Sequence, residues 1–347
     1  MDNLAPRAAA PAMPDPLLRI EGLKMHFRNP RGFLRPDGPP TLAVDDVDFD
    51  IHPGETLSLV GESGSGKTTL GRCILGIYRA TAGRIRYAAR DGEVDLATLG
   101  EHELKPYRRD IRMIFQDPNS SLNPRRPVID IIGECLEIAG TTRLADRRAR
   151  VAELLEQVGL KPEYMSRYPH AFSGGERQRI GIARALALDP RLVVCDESVS
   201  ALDVSVQAQI LNLLQDLQER LGLTYLFIAH DLAVVEHLSD RVAVMYAGRL
   251  VEIAASAELF ARPRHPYTEA LLASIPKPDP RLRGTTRRLR LGGEVADVRN
   301  PPPGCIFHPR CRYAEDRCRS ERPALRDLGN GRRAACHFAE TLELAGA

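Results

Sequence analysis

The sequence predicts an α/β protein built on a mostly parallel sheet with its ligand at the strand ends. Three observations predict it. An alternating run (Thr56–Val60) and a short, mostly apolar one (Ile111–Phe115) read as strands, and the apolar runs Arg191–Cys195 and Leu223–Ala229 read as buried parallel strands. Segments of helical period separate them. Each run is followed at its carboxyl end by residues that can carry chemistry: the glycine-rich stretch from Gly61, Gln116, Asp196-Glu197 and His230.

The elements follow in order. Residues 1–16 are Ala/Pro-rich and are expected to be disordered. Leu17–Phe27 reads as a strand, Arg28–Pro40 as a Gly/Pro/Arg-rich loop, and Thr41–Ile51 as a strand carrying Leu42, Val44, Val47 and Phe49. After Thr56–Val60 and the glycine-rich turn, an amphipathic helix carries Leu70, Ile74 and Ile77. Gly83–Leu96 gives short strands with turns. Residues from about 127 to 160 have helical spacing, with Val151, Leu154, Leu155 and Val158 on one face. A helix is expected over Arg179–Leu188, and Val242–Met245 with Arg249–Ile253 suggest a closing pair of strands. The Pro-rich stretch Ile275–Pro280 marks a boundary, after which a small C-terminal unit follows.

Composition narrows the class. The chain has 347 residues, 43% hydrophobic and 27% charged, as a globular protein with more than one core would. No run of about 18 apolar residues offers a bilayer span, and no basic-then-apolar leader is visible, so a cytosolic location is expected. A net charge of +2 argues against general nucleic-acid affinity. The segment from Lys277 onward is basic and the remainder acidic, a distribution that suits a solvated face or contact with phosphates. Cys73, Cys135 and Cys195 sit singly in apolar surroundings and read as small core residues.

Two stretches carry the chemistry. Gly61, Glu62, Ser63, Gly64, Ser65, Gly66, Lys67 and Thr68 lie between a strand and a helix and form a P-loop. Its glycines let backbone N–H groups curl around an anion, the helix start adds its dipole, Lys67 reaches the β- and γ-phosphates, and the Thr68 hydroxyl can sit on Mg²⁺. Thr69 follows in the first helical turn. Downstream, Asp196 closes an apolar run and can hold Mg²⁺, and Glu197 can polarise an attacking water. The second stretch, Phe172-Ser173-Gly174-Gly175-Glu176-Arg177-Gln178, offers another anion cradle at a helix start. One nucleotide has little use for two cradles in one chain. Two chains meeting head to tail, each capping the triphosphate held by the other, explain both.

Taken with Gln116, Ser200-Ala201-Leu202-Asp203 and His230, these motifs in this order make the chain resemble the nucleotide-binding subunits of ABC transporters from about residue 18 to 340. The resemblance implies a P-loop NTPase (RecA-like) ABC cassette over residues 17–255, with an antiparallel β subdomain and a helical subdomain at about 119–178. A small cysteine-bearing extension over 256–347 completes it. It implies that ATP and Mg²⁺ bind, that Gln116 touches Mg²⁺ and senses the membrane partner, and that Ser173, Gly174, Gly175 and Glu176 face the opposite chain's γ-phosphate. Asp203 then communicates across the dimer, His230 holds the γ-phosphate and water, and Phe27 stacks on adenine, where the family often has Tyr. Phe172, Glu176 and Ser198 depart from common family residues without removing a catalytic group.

Finer segments are similar to the oligopeptide/dipeptide importer ATPases: Phe115–Pro124, Ser200–Gln207, Arg264–Leu272 and the cysteine-bearing end. That resemblance implies ATP hydrolysis powering peptide import at the cytoplasmic face of the membrane. The implied partners are a second ATPase subunit (sister or identical), two permease subunits and an extracytoplasmic solute-binding protein. Relatives also import nickel, glutathione or sugars. A soluble ABC ATPase of DNA repair or translation, or a binding-only subunit, are the rival readings. The first would bring coiled-coil insertions or a second cassette, and the second is opposed by intact Glu197 and His230. Cys305, Cys311, Cys318 and Cys336 are spaced as cytosolic metal ligands rather than disulfides, without zinc-ribbon knuckles. The resemblance implies a [4Fe–4S] cluster that staples the small unit, with Zn²⁺ or free thiols as alternatives.

Overall fold

The computed structural model describes residues 15–29, 38–117, 121–200, 202–275 and 292–347. The expected disorder of the first residues, most of the Arg28–Pro40 loop, Ala201 and the Pro-rich boundary after Ile275 lie outside the described residues.

Two sheets organise the chain. The first is antiparallel, in the order β2-β1-β4-β5, from β1 (Leu18–Asn29), β2 (Gly38–Ile51), β4 (Ala82–Ala89) and β5 (Gly92–Asp95). The second holds β3 (Thr56–Val60), β6 (Ile111–Ile114), β7 (Leu192–Asp196), β8 (Thr224–Ala229), β9 (Arg241–Tyr246) and β10 (Arg249–Ala255). It ends in two short strands, β11 (Arg326–Asp327) and β12 (Arg333–Ala334). The order is β11-β12-β10-β9-β3-β8-β7-β6. Strands β6, β7, β8, β3 and β9 pair in parallel, and β9 turns back antiparallel into β10. Every residue of β3, β7 and β8 is buried, as expected for parallel strands covered on both faces. The parallel strands end together, so the loops after β3, β6, β7 and β8 share one edge.

Helices Val128–Ile138, Leu144–Gln157 and Gly174–Leu186 form the helical part between β6 and β7. Their buried Val151, Leu154, Leu155 and Ile180 join the core of the larger sheet. Two expectations change here. The helix after the P-loop runs only over Lys67–Ile74: Gly76 takes φ +65° and Ile77 lies beyond the helix, 53% exposed. The helix expected from Arg179 begins five residues earlier, at Gly174, because Ser173 and Glu176 form a reciprocal cap. The Glu176 amide donates to Ser173 Oγ (3.3 Å), and the Ser173 amide donates to Glu176 Oε2 (2.8 Å).

The C-terminal unit is not a separate layer. Strand β12 pairs with β10 (Glu252 opposite Ala334, Ile253 opposite Arg333), so the unit lengthens the main sheet. Cys73 and Cys195 are buried, as expected of core residues. Cys135 is only partly so, and Arg112 Nη2 donates to its sulfur at 3.1 Å. Among the described residues no helix is long and apolar enough to cross a membrane.

Candidate active site

The turn after β3 is shaped by contacts that exclude side chains. Gly61 has φ +150°, and a Cβ on it would stand 2.1 Å from the Met245 carbonyl oxygen. Gly66 has φ +105°, and its Cβ would stand 2.0 Å from the Ala43 carbonyl. Both strands of backbone press on the loop, so only glycine fits. Lys67, at the helix start, is buried. Its ammonium donates to the carbonyls of Gly61 (2.7 Å) and Glu62 (3.0 Å) and, more weakly, to Ser65 Oγ (3.4 Å). Burial holds its pKa below the usual lysine value, against the opposing pull of Glu197, Asp196 and Glu62. A buried cation balanced only by carbonyls and distant carboxylates is suited to receive an anion. Thr69 lies half-buried in the same first turn.

The neighbouring strand ends converge on this loop. Thr68 Oγ1 donates to Asp196 Oδ1 at 2.9 Å. Burial raises the Asp196 pKa, the Thr68 hydrogen bond opposes it, and the adjacent Glu197 charge raises it further. Glu197 leaves β7 with φ +45°, a conformation that disfavours non-glycine residues. Three hydrogen bonds hold it there: its amide donates to the Ile228 carbonyl (2.9 Å), and its own carbonyl accepts from the Ser200 amide (3.1 Å) and hydroxyl (2.9 Å). The strained turn presents the carboxylate to two partners. Gln116 Nε2, past the end of β6, donates to Glu197 Oε2 at 2.8 Å, and His230 Nδ1, past the end of β8, stands 3.3 Å from the same oxygen. Asp231 then caps the next helix, accepting from the Ala233 amide at 3.0 Å, which fixes the turn that carries His230.

So Thr68 meets Asp196, and Glu197 meets Gln116 and His230, beside the loop that buries Lys67. Other expected residues do not join them. Ser173 is exposed, and its hydrogen bonds run to Glu176. Among the described residues no bond links it to the P-loop. Gly175 packs on the helix Val204–Leu221, where an added Cβ would stand 2.6 Å from Val206 Cγ1. Asp203 caps that helix, accepting from Ser205 Oγ (2.6 Å) and the Val206 amide (2.9 Å), and these bonds hold its carboxyl below the usual range. Phe27 is half-buried and meets Tyr78 edge-on, with centroids 5.4 Å apart.

Two residues at this site were missed from the sequence. Arg310 forms a double hydrogen bond with the Glu62 carboxylate, and the Glu62 amide donates to the Tyr267 hydroxyl at 2.8 Å. The available signal was Glu62 itself, an acid inside an anion cradle that calls for a cation.

The four C-terminal cysteines line one small cavity together with His265, Phe307, His308 and Tyr313. Burial pushes the thiol of Cys311 up to about 11 and that of Cys336 to about 12, and Cys305 is raised for the same reason. Among the described residues no three His, Cys, Asp or Glu side chains stand close enough to hold a metal ion as placed. The sequence expectation of a metal ligand set therefore finds a shared cavity but no assembled coordination sphere.

Comparison with known proteins agrees with this architecture. Residues 44–200 match the ABC transporter family, and residues 251–318 match the oligopeptide/dipeptide transporter C-terminal region. "Probable peptide ABC transporter ATP-binding protein y4tS" of Sinorhizobium fredii is 51% identical over 325 residues, covering 94% of this chain and 90% of that protein. "Oligopeptide transport ATP-binding protein AppF" of Bacillus subtilis is 46% identical over 325 residues, covering 93% and 97%. Among solved structures, the dimeric post-hydrolysis state of the ATP-binding cassette MJ0796 bound to ADP and Pi superposes with a TM-score of 0.59. It is 27% identical, covering 69% of this chain and 98% of that one.

Proposed function

Because this chain belongs to the ATP-binding proteins of ABC transporters, in the oligopeptide/dipeptide branch, we propose that the residues meeting at its sheet edge hydrolyse ATP to drive peptide import. It is an ATPase, and it works beside a second ATP-binding subunit on permease subunits. The observation that carries the assignment of residues is the convergence of Thr68, Asp196, Glu197, Gln116 and His230 beside the buried Lys67. Lys67 exchanges the loop carbonyls for the β- and γ-phosphates, with the amides of Gly61–Thr69 around them. Thr68, Asp196 and Gln116 supply hard oxygen donors suited to Mg²⁺, and the raised pKa of buried Asp196 marks a carboxylate that a cation would stabilise. Held by these residues, Mg²⁺ would supply charge neutralisation for the phosphate oxygens. Glu197 polarises the water, and His230, sharing its carboxylate oxygen, orients both water and γ-phosphate.

Ser173, Gly174, Gly175 and Glu176 serve the triphosphate held by the facing subunit. The exposure of Ser173 and Gly174, and the lack of bonds from Ser173 to this chain's own P-loop among the described residues, support that reading. Asp203 stands at the same face, and Phe27 offers adenine a half-buried ring. Residues 17–255 are the cassette, with about 119–178 as its helical part facing the permeases, and 256–347 are the extension. An extracytoplasmic solute-binding protein delivers di- or oligopeptides to the complex, and this subunit sits peripherally on the cytoplasmic side. In vesicles holding the permeases and both ATP-binding subunits, ATP hydrolysis should rise on adding peptide-loaded binding protein. Hydrolysis indifferent to any peptide, or co-purification with ribosomes or DNA instead of permeases, would remove the reading.

The four thiols hold a [4Fe–4S] cluster. Four soft sulfur donors lining one cavity support a thiolate-held group there. Anaerobically purified protein should contain iron and acid-labile sulfide and absorb broadly in the visible, and Cys336→Ser should lose both. Stoichiometric zinc in place of iron would favour the alternative.

A further inference from the structure

A carboxylate is an odd component of a phosphate cradle. Glu62 is the second residue of the loop, and an uncancelled negative charge there opposes the binding of a triphosphate. Its partner comes from the other end of the chain. Arg310 Nη1 donates to Glu62 Oε2 at 2.7 Å and Nη2 to Oε1 at 2.9 Å, the parallel two-bond geometry that suits guanidinium to carboxylate. The Arg310 side chain is 5% exposed and that of Glu62 27%. Tyr246 lies under the guanidinium, 5.7 Å from its centroid, and packs with Tyr267 and Phe307 at centroid distances of 4.7 and 5.2 Å. Tyr267 in turn accepts the Glu62 amide proton. The acid is thus pinned by side chain and by main chain, both from the C-terminal extension.

We propose that Arg310, supported by Tyr267, is a positioning residue for nucleotide binding: it cancels the Glu62 charge and fixes the opening of the P-loop, making the C-terminal extension part of the ATP site. Arg310 acts through Glu62 and need not touch the nucleotide. The inference rests on Gly61–Thr68 being the ATP cradle. It gives the extension a task that the cysteine cavity alone does not: Arg310 lies next to Cys311, so the turn that carries the thiol also delivers the guanidinium.

The test is a charge cycle on the full chain, reading the dissociation constant for MgATP by calorimetry and the melting temperature alongside. Arg310→Ala should weaken MgATP binding about tenfold or more, because the charge of Glu62, a residue of the loop itself, is left uncancelled. Glu62→Gln alone serves as the reference arm of the cycle, and Glu62→Gln combined with Arg310→Ala should recover most of the Arg310→Ala loss. Arg310→Lys, which keeps the charge without the fork, should fall between wild type and Arg310→Ala. Equal weakening by Arg310→Ala in the presence and absence of Glu62→Gln would overturn the proposal. So would a folded Arg310→Ala protein that binds MgATP as wild type does and merely melts earlier. Lys67→Ala separates the underlying reading: if it leaves MgATP affinity intact, the cradle assignment fails whatever Arg310 does.

Discussion

Glu197→Gln is expected to bind MgATP as tightly as the wild type and to lower kcat by roughly 10²–10⁴-fold, the scale of a lost general base. The geometry supports both halves. The substitution keeps the shape, and an amide oxygen can still accept from Gln116 Nε2, now 2.8 Å from the carboxylate. The strained φ of +45° belongs to the backbone and its three hydrogen bonds, none of which the side chain makes. What disappears is the carboxylate that His230 and Gln116 share, the group proposed to take the proton from a water attacking the γ-phosphate. Steady-state phosphate release gives the rate. Size-exclusion chromatography with ATP gives a second readout, since a pair closed over unhydrolysed nucleotide should accumulate. Turnover near the wild-type rate would take the base assignment away from Glu197.

Arg332→Ala should destabilise the protein by about 3–5 kcal/mol, the cost of leaving a buried charge without its partner. Glu252 on β10 is 0% exposed and Arg332, just before β12, 8%. Arg332 Nη2 donates to Glu252 Oε1 at 2.8 Å and also to the Arg262 carbonyl, while Glu252 accepts the amide protons of Arg264 (2.8 Å) and His265 (3.0 Å). Burial already holds the Glu252 carboxyl above its usual range, and the Arg332 bond opposes that shift. This cluster ties the C-terminal extension to the main sheet where β12 meets β10. Urea unfolding should show the loss. Replacing both partners by apolar residues, Glu252→Met with Arg332→Leu, should recover most of it. A single Arg332→Ala variant within about 1 kcal/mol of wild type would show that the pair is not holding the extension.

Much of the active site was legible because its parts are local. The glycine-rich turn, the apolar strand before Asp196-Glu197 and the one before His230 each declare themselves within about ten residues. Within the cassette, the reading of elements slipped at helix ends. The Gly174-Gly175 pair looked like loop because glycine is a poor helix former, yet the Ser173/Glu176 cap, itself readable as S-x-x-E, starts the helix there. Ile77 looked like the next turn of an amphipathic helix, but Gly76 breaks it first.

The sequence by itself determined the central strands of the two sheets, the glycine-rich turn and the polar residues at the strand ends, since backbone sterics and hydrophobic periodicity act over neighbouring residues. Only the tertiary structure decided that the extension adds strands to the main sheet, that four separated cysteines share a cavity and that Arg310 reaches Glu62. Those pairings join residues far apart in the chain. Each is selected when burial strips water from a charge, a thiol or a strand edge, and the group must then take whichever partner the packed core brings within reach.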